Sequence, residues 1–203
     1  MIRSFFAAII ILFAIGCSNA TNDKTLPAAS PATAASEVKK DSFFPVTSFI
    51  KGQLKTLDSI PITPLRTIKI NDKTDSVWVK KADLANLLAG FISPEIRETN
   101  LVKYFKETSF NDQTLNAITF TYDPLETLPD SILLRHWDVY IDPQTGKISK
   151  VYMVKQLKEK EGNITQQLTW KTDKWAMIVS ILNKPDGTTQ LLKEDKIIWD
   201  FNQ

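Results

Sequence analysis

Residues 164–181, ITQQLTWKTDKWAMIVSI, decide the fold class. Before a polar turn at residues 171–174, apolar and polar side chains alternate, and this period of two is typical of strands with one buried face. The predicted cross-strand pairs, all on one face, are Trp170 with Trp175, Leu168 with Met177, and Ile164 with Ile181. Because a slip of one residue would move all of these side chains to the opposite face, the pattern predicts a specific hairpin register.

The same pattern extends in both directions from this hairpin. Gly146, Gly162 and Gly187 fall at successive turn sequences, and glycine with polar neighbours favours tight turns. Among the predicted strands are residues 104–110, 115–122, 132–142, 148–158, 164–171 and 189–201. Connections as short as these join antiparallel neighbours, so the sequence predicts a β-meander.

The first part of the chain shows helical spacing instead. In residues 43–57 and 84–91, apolar side chains recur three and four positions apart, which predicts two amphipathic helices. A third helix is predicted to begin at Ser93-Pro94-Glu95, since serine is a common helix cap and proline is favoured at the first helical position.

Two more strands are predicted between the first two helices, at residues 65–70 and 76–80, around a turn at Asn71-Asp72. Helices first and strands afterwards are the order expected of an α+β fold. We therefore expect a single α+β domain at residues 41–203, in which the N-terminal helices are packed on a curved antiparallel β-meander.

Composition limits the classes of function. The chain has 203 residues, 43% of them hydrophobic, which suits one domain with a sizeable core. The formal net charge of +2 provides no basic field for nucleic acid. With one cysteine and one histidine, the chain lacks the ligands of a Cys-based or multi-His metal site. We expect no nucleic-acid partner, no metal and no cofactor.

The N-terminus carries the clearest functional signal. Residues 5–15 form an uninterrupted apolar run, which has the length of a signal-peptide h-region and is too short to span a bilayer. The run ends in Ala14-Ile15-Gly16-Cys17. This sequence resembles the lipobox of bacterial type II signal peptides, and Cys17 is the only cysteine in the chain.

The resemblance implies that residues 1–16 are removed and that Cys17 receives the lipid that anchors the protein in a membrane. Residues 17–40 are rich in Ala, Thr, Ser and Pro, which is typical of a disordered tether. Ser18 follows the cysteine, where an aspartate would imply retention in the inner membrane. We therefore expect the outer membrane, with the domain facing the periplasm or the cell surface. The alternative is an ordinary secretory signal.

One short sequence contains the groups of a general base. His136 and Asp138 are two residues apart on a predicted strand, so both should lie on the face opposite Trp137. An aspartate beside a histidine can orient the imidazole for proton abstraction. The alternative is the solvated face of a half-buried sheet. No nucleophile elbow accompanies the pair, and we expect no catalytic residue.

Three acidic residues lie in the loop that precedes this strand. Asp123, Glu126 and Asp130 could line a cation site, but their spacing is not that of an EF-hand loop. Two of them adjoin prolines, and Asp-Pro and Pro-Asp are ordinary turn sequences. The turn interpretation is therefore favoured over a calcium site.

The five tryptophans could provide a platform for carbohydrate stacking. Trp78 and Trp137 are the candidate binding aromatics, with Trp78 in a short alternating strand. The alternative for Trp137, Trp170, Trp175 and Trp199 is a place in the core or at a sheet edge, because large aromatic side chains dominate core packing.

Residues 140–148 form an Asp-Pro-x-x-Gly hairpin sequence. They resemble the central hairpin of PepSY-type domains, which are small envelope modules thought to bind or inhibit other proteins. The resemblance covers nine residues and implies a binding function.

Three Asp-Ser-aliphatic sequences resemble the acceptor for O-glycosylation of envelope proteins in one lineage of Gram-negative bacteria. Their serines are Ser59, Ser76 and Ser131. All three are predicted to lie in loops or at the ends of elements, where a bulky sugar is tolerated. The alternative is that Asp-Ser favours turns and helix caps.

Three functions remain open on these grounds. The first is a non-enzymatic, outer-membrane lipoprotein that binds another envelope component, reaching the membrane through the lipid on Cys17. The second is a carrier that holds a lipid or other apolar ligand between helices and a curved sheet, as in lipoprotein-sorting half-barrels. The third is a hydrolase acting on glycan or peptide.

Overall fold

The computed structural model describes residues 43–101 and 103–201. Within these residues the chain forms nine β-strands in one sheet, with the order β2-β1-β9-β8-β7-β6-β5-β4-β3. Every neighbouring pair is antiparallel. The predicted meander is therefore confirmed from β3 to β9, and the β1–β2 hairpin extends the sheet beyond β9.

The helical elements are short. They are α1 (Val46–Ser59), a 3-10 turn (Lys81–Asp83), α2 (Leu84–Leu87), a second 3-10 turn (Ala89–Phe91) and α3 (Glu98–Leu101). The strands are β1 (Leu65–Ile70), β2 (Lys73–Trp78), β3 (Phe105–Asp112), β4 (Ala117–Pro124), β5 (Leu134–Ile141), β6 (Ile148–Glu159), β7 (Gly162–Lys171), β8 (Trp175–Asn183) and β9 (Thr189–Ile198). The part of the chain described here is thus dominated by its sheet. None of its helices is long and apolar enough to cross a membrane.

The predicted register of the β7–β8 hairpin is wrong by one residue. Lys171 pairs with Trp175, and Trp170 pairs with Ala176. The loop has three residues, with Asp173 at a φ of 60°, the left-handed conformation that closes such a turn. Trp170 and Ala176 are both fully buried, so a small side chain lies opposite the large indole. Trp175 consequently points to the other face of the sheet.

The other two predicted pairs of this hairpin move with it. Leu168 pairs with Ile178 instead of Met177, and Ile164 pairs with Leu182 instead of Ile181. The face assigned to β7 is retained, since Leu168 is fully buried. On β8, however, every side chain lies on the face opposite to the one that the pattern predicted.

The third predicted helix does not begin at Ser93-Pro94-Glu95. The Ser93–Pro94 peptide bond is cis, and the first helical residue is Glu98. The carbonyl oxygens of Gly90 and Ser93 instead accept hydrogen bonds from the buried Lys155 ammonium group of β6. A carbonyl group that binds a lysine in this way is not available to continue a helix.

One face of the sheet contains the core, and we call it the Trp137 face. Its fully buried side chains include Trp137, Val139, Val151, Leu168 and Trp170. The ring of Phe43 lies 5.6 Å from that of Trp137, and the ring of Phe91 lies 5.5 Å from that of Trp170. The core is therefore aromatic, and residues that precede the meander contribute to it.

Candidate binding face

The opposite face of the sheet is defined by His136, Asp138 and Tyr140 of β5, and we call it the Asp138 face. These side chains alternate with Trp137 and Val139, which point into the core. The cross-strand partner of Asp138 on β4 is Thr121, and its partner on β6 is Tyr152. The sequence alternation thus placed His136 and Asp138 on the predicted face.

Asp138 is the centre of a hydrogen-bonded cluster on this face. Its Oδ1 accepts a hydrogen bond of 2.7 Å from Thr121 Oγ1, and its Oδ2 accepts one of 3.2 Å from the Tyr140 hydroxyl. His136 Nε2 lies 3.0 Å from Asp138 Oδ2, and His136 Nδ1 lies 2.7 Å from Asp123 Oδ1. The imidazole therefore bridges two carboxylates.

These contacts determine the charges of the cluster. The hydrogen bond with Asp138 is the main reason that the pKa of His136 rises to about 9, and the contact with Asp123 raises it further, against the effect of burial. Burial opposes the ionisation of Asp138, but hydrogen bonds from His136 and Thr121 outweigh it and lower the pKa of this carboxyl group. At neutral pH the cluster contains an imidazolium ion between two carboxylates.

This geometry changes the interpretation of the His-Trp-Asp sequence. The residue Asp138 is only 8% exposed, so the pair is more buried than the solvated sheet face that the sequence suggested. An imidazolium ion has no lone pair with which to abstract a proton. The cluster instead ties β4 to β5 with charge-assisted hydrogen bonds, which are stronger than neutral ones.

The raised pKa of His136 predicts how the free energy of unfolding depends on pH. Since the folded pKa of about 9 lies above the unfolded value of about 6.5, the stabilisation is complete below pH 6.5 and is lost as the pH rises through 9. Replacing His136 by glutamine should lower the free energy of unfolding by about 2 kcal/mol at pH 6, after allowance for partial solvent exposure, and by little at pH 10.

Urea titrations of both proteins at pH 6, 8 and 10 measure this difference. Lys155, whose burial lowers its pKa to about 8, is present in both proteins, so its titration cancels. A difference that does not change with pH would contradict the ionic cluster. Since the chain has a single histidine, the imidazole signal in an NMR titration reports the same pKa without ambiguity.

A second feature of the Asp138 face is a row of side chains that crosses the whole sheet, one from each strand. From β2 to β3 this cross-sheet row contains Trp78, Leu65, Ile198, Trp175, Lys171, Lys150, Tyr140, Thr119 and Phe110. At about 4.8 Å between strands, its eight intervals span roughly 38 Å. The row ends in two strongly exposed rings, Trp78 and Phe110.

The two candidate binding aromatics differ in exposure, since Trp78 is exposed and Trp137 is buried. Trp78 is 61% exposed, and its ring lies 6.0 Å from that of Phe201. Trp137 is fully buried, stacked on Tyr122 at 4.5 Å and tilted against Phe105 at 4.7 Å. The expectation that Trp137 binds a ligand is therefore wrong for this structure, because its ring contacts only the core.

The loop acids are engaged separately. Asp123 contacts His136, while Asp130 forms a 2.7 Å salt bridge with Lys158. Within the ranges that the structure describes, no group of three His, Cys, Asp or Glu side chains is arranged to hold a metal ion. Asp123 lies within β4, where it pairs with Lys106, so the predicted loop begins later than expected.

The three candidate glycosylation serines are all exposed. Ser59 ends α1, where its Oγ donates a hydrogen bond of 2.7 Å to the Thr56 carbonyl, and Ser131 precedes β5. Ser76 lies within β2, because that strand begins at Lys73, three residues earlier than expected. Their modification stays a prediction, and the predicted lipidation site at Cys17 lies outside the described residues.

The hairpin at residues 140–148 forms as its sequence predicts. Asp142 Oδ1 accepts hydrogen bonds from the amides of Gln144 and Thr145, at 2.8 and 3.0 Å, and Gly146 takes a φ of 66°. These contacts stabilise the tight connection between β5 and β6, which brings Tyr140 and Lys150 side by side.

Sequence reasoning missed the lysines of the cross-sheet row. Lys150 and Lys171 are direct partners on β6 and β7, and Trp175 adjoins Lys171. The predicted hairpin register paired Trp175 with Trp170 and so removed it from this face. If the loop is given three residues, the same sequence places Trp175 beside Lys171.

No protein-family model, curated protein or solved structure matches the chain.

Proposed function

We propose that the protein is a non-enzymatic binding module of the cell envelope, and that it binds another envelope component through its Asp138 face. The observation that carries the proposal is the cross-sheet row, which combines exposed aromatic rings with lysines on a single face. Exposed aromatic side chains at the ends of such a row are the kind of group that contributes most to binding surfaces.

The two faces of the sheet differ in what lies against them. We infer that the helical segments form a layer over the Trp137 face of a curved sheet, since Val46 and Ile50 of α1 are fully buried and the Phe44 amide donates to the Tyr122 hydroxyl. Among the described side chains of residues 43–97, 100–101 and 103–201, no helical side chain hydrogen-bonds to or stacks on the Asp138 face. That face is the one left for a partner.

The aromatic core also separates this proposal from the carrier alternative. A carried lipid would occupy the space between the helical segments and the Trp137 face. That space holds the rings of Phe43, Phe91, Trp137 and Trp170, in direct contact with one another in pairs. Because these side chains fill the region, the structure offers the carrier alternative no support.

The hydrolase alternative depends on His136 as a base. The two carboxylates that contact this residue raise its pKa to about 9, so the geometry gives no support to its use as a base at neutral pH. The binding module is therefore the function best supported by the described residues.

The anchor completes the proposal. A lipid on Cys17 would hold the domain at the outer membrane through residues 17–40, facing the periplasm or the cell surface. Several acyl chains anchor a protein stably, where one chain gives only marginal binding. Sugars at Ser59, Ser76 or Ser131 would be tolerated, since all three serines are exposed.

Photo-crosslinking in living cells tests the binding face. A benzophenone amino acid replaces Trp78 or Phe110, the two exposed ends of the row, and adducts are identified by mass spectrometry. The matched control is Leu125, which is 56% exposed and lies in the loop after β4. We expect a discrete adduct, the same component from both ends of the row, and none from Leu125.

Two crosslinking results would contradict the proposed binding face. An adduct from Leu125 alone would place the binding surface elsewhere. The absence of an adduct from both row positions, with normal protein levels and membrane localisation, would also contradict the proposal.

A further inference from the structure

The centre of the cross-sheet row has an unusual charge arrangement. Lys150 and Lys171 lie directly opposite each other on β6 and β7. Like charges in directly opposed positions destabilise an antiparallel pair. Burial and the charge of Lys171 both lower the pKa of Lys150. The sheet is therefore less stable at this pair than it would be with an uncharged side chain at one of the two positions.

Three lysines among the described residues are paired with carboxylates. Lys51 binds Glu95, Lys158 binds Asp130, and Lys193 binds Asp195 at 2.6 Å. No salt bridge joins Lys150, Lys171 or Lys196 to a carboxylate among the described side chains of residues 43–97, 100–101 and 103–201. The charge at the centre of the row is therefore not neutralised by direct pairing within the domain.

The Asp138 carboxylate on this face is already engaged by other groups. It accepts hydrogen bonds from Thr121, Tyr140 and the His136 imidazolium ion. The charges of Asp138 and Asp112 raise the pKa of Lys150, but less than burial and Lys171 lower it, and neither carboxylate forms a salt bridge with it. A ligand that brought its own negative charge would relieve the repulsion.

Aromatic rings hold the lysines in place. Lys150 Nζ lies 3.6 Å from the centre of the Tyr140 ring, and Lys196 Nζ lies 4.8 Å from the centre of the Trp175 ring. Such cation–π contacts orient an ammonium group without neutralising it. Lys150 and Lys196 thus lie on either side of Lys171 and Trp175, with Lys196 on the same face and two residues along β9 from Ile198 of the row.

We propose that the cross-sheet row binds an anionic glycan chain, with its acidic groups on Lys150, Lys171 and Lys196 and its sugar rings on Trp78 and Phe110. The row follows the sheet for about 38 Å, which fits an extended polymer lying across the strands. Because the lysines present positive charges, an acidic chain is favoured over a neutral one. This inference rests on the proposed function, and it names the chemistry of the ligand for the same face.

Calorimetry on the full chain in detergent tests the proposal. The probes are oligogalacturonate and a heparin decasaccharide, and the neutral control is the methyl ester of the same oligogalacturonate. We expect at least one acidic probe to bind and the ester not to bind. The double variant Lys150→Gln, Lys171→Gln should weaken that binding roughly tenfold, because it removes two charge contacts, and affinity should fall as salt rises.

The matched control is the double variant Lys69→Gln, Lys106→Gln. These lysines are exposed on the same face but lie two side-chain positions along their strands from the row, at about 13 Å. We expect less than a twofold change for this variant. The row variant should keep its melting temperature or raise it, since it removes like-charge repulsion, which excludes misfolding as the cause of lost binding.

Three results would contradict the proposal that the ligand is an anionic glycan. They are binding of neither acidic probe, equal binding of the ester, and equal weakening by the control variant. Vesicles containing phosphatidylglycerol form a further arm, and binding to these vesicles without binding to either glycan would assign the lysines to a membrane surface instead. If crosslinking from Trp78 and Phe110 succeeds while the acidic probes fail, the binding face stands and only the ligand chemistry is wrong.

Discussion

Replacing Trp137 by alanine is expected to lower the free energy of unfolding by about 3–5 kcal/mol. The indole is fully buried and contacts three rings, those of Phe43, Tyr122 and Phe105. Its removal would leave a cavity where β5 meets the residues before α1. Since domains of this size are stable by about 5–15 kcal/mol, a large part of the total would be lost, as urea denaturation followed by circular dichroism can measure.

Trp78→Ala is the matched control for this prediction. The same substitution at a side chain that is 61% exposed should change the free energy of unfolding by about 0.5 kcal/mol or less. Equal losses for the two variants would contradict the assignment of Trp137 to the core and Trp78 to the surface. Loss of stability at Trp78 alone would reverse it.

Replacing Cys17 by alanine is expected to abolish lipid anchoring in the outer membrane. If the resemblance to type II signal peptides holds, the variant has no thiol to accept the lipid, and cleavage before residue 17 does not follow. We expect no incorporation of an alkyne-labelled fatty acid, a larger mass that includes residues 1–16, and loss of the protein from the outer-membrane fraction. Labelling and membrane fractionation of cells measure these effects.

Ser18→Ala serves as the control, because it retains the cysteine and should keep both the label and the fractionation. Two outcomes would contradict the lipid anchor. One is a wild-type protein that incorporates no fatty acid, which would favour the ordinary secretory signal. The other is a Cys17→Ala variant that is still labelled.

The sheet was predictable because its signals are local. Turn sequences at Gly146 and Gly187 fix where neighbouring strands begin and end, and alternation then assigns side chains to faces. The predicted register of the hairpin at residues 171–175 was wrong because its loop can close with either four or three residues. The difference depends on whether Asp173 adopts a left-handed conformation, and a side-chain pattern does not encode this directly.

The first predicted helix is confirmed as α1, but the prediction of a helix beginning at Ser93 failed for a long-range reason. The carbonyls of Gly90 and Ser93 bind Lys155, more than sixty residues later in the chain, and the amide of Ile96 donates to Thr47 in α1. These tertiary contacts replace helical hydrogen bonds in the segment that was expected to start a helix. Local capping rules take no account of them.

The binding face was predictable only in part. His136 and Asp138 could be placed together from their spacing, but their charges depend on Asp123, which reaches them from another strand. The cross-sheet row requires the registers of eight strand pairs at once, and one error in the central hairpin is enough to remove Trp175 from it. A site assembled across nine strands becomes visible only when all of them are in place.

Lysine footprinting of the wild-type protein tests the central claim most directly. The rate of acylation of each lysine is measured by mass spectrometry in intact membranes and in the purified protein, and the ratio is compared among positions. If the Asp138 face binds an envelope component, Lys150, Lys171 and Lys196 will react several times more slowly in membranes. Lys73 and Lys106, which are exposed and lie at least about 13 Å along their strands from the row, will not. Equal ratios at all five lysines would contradict the account.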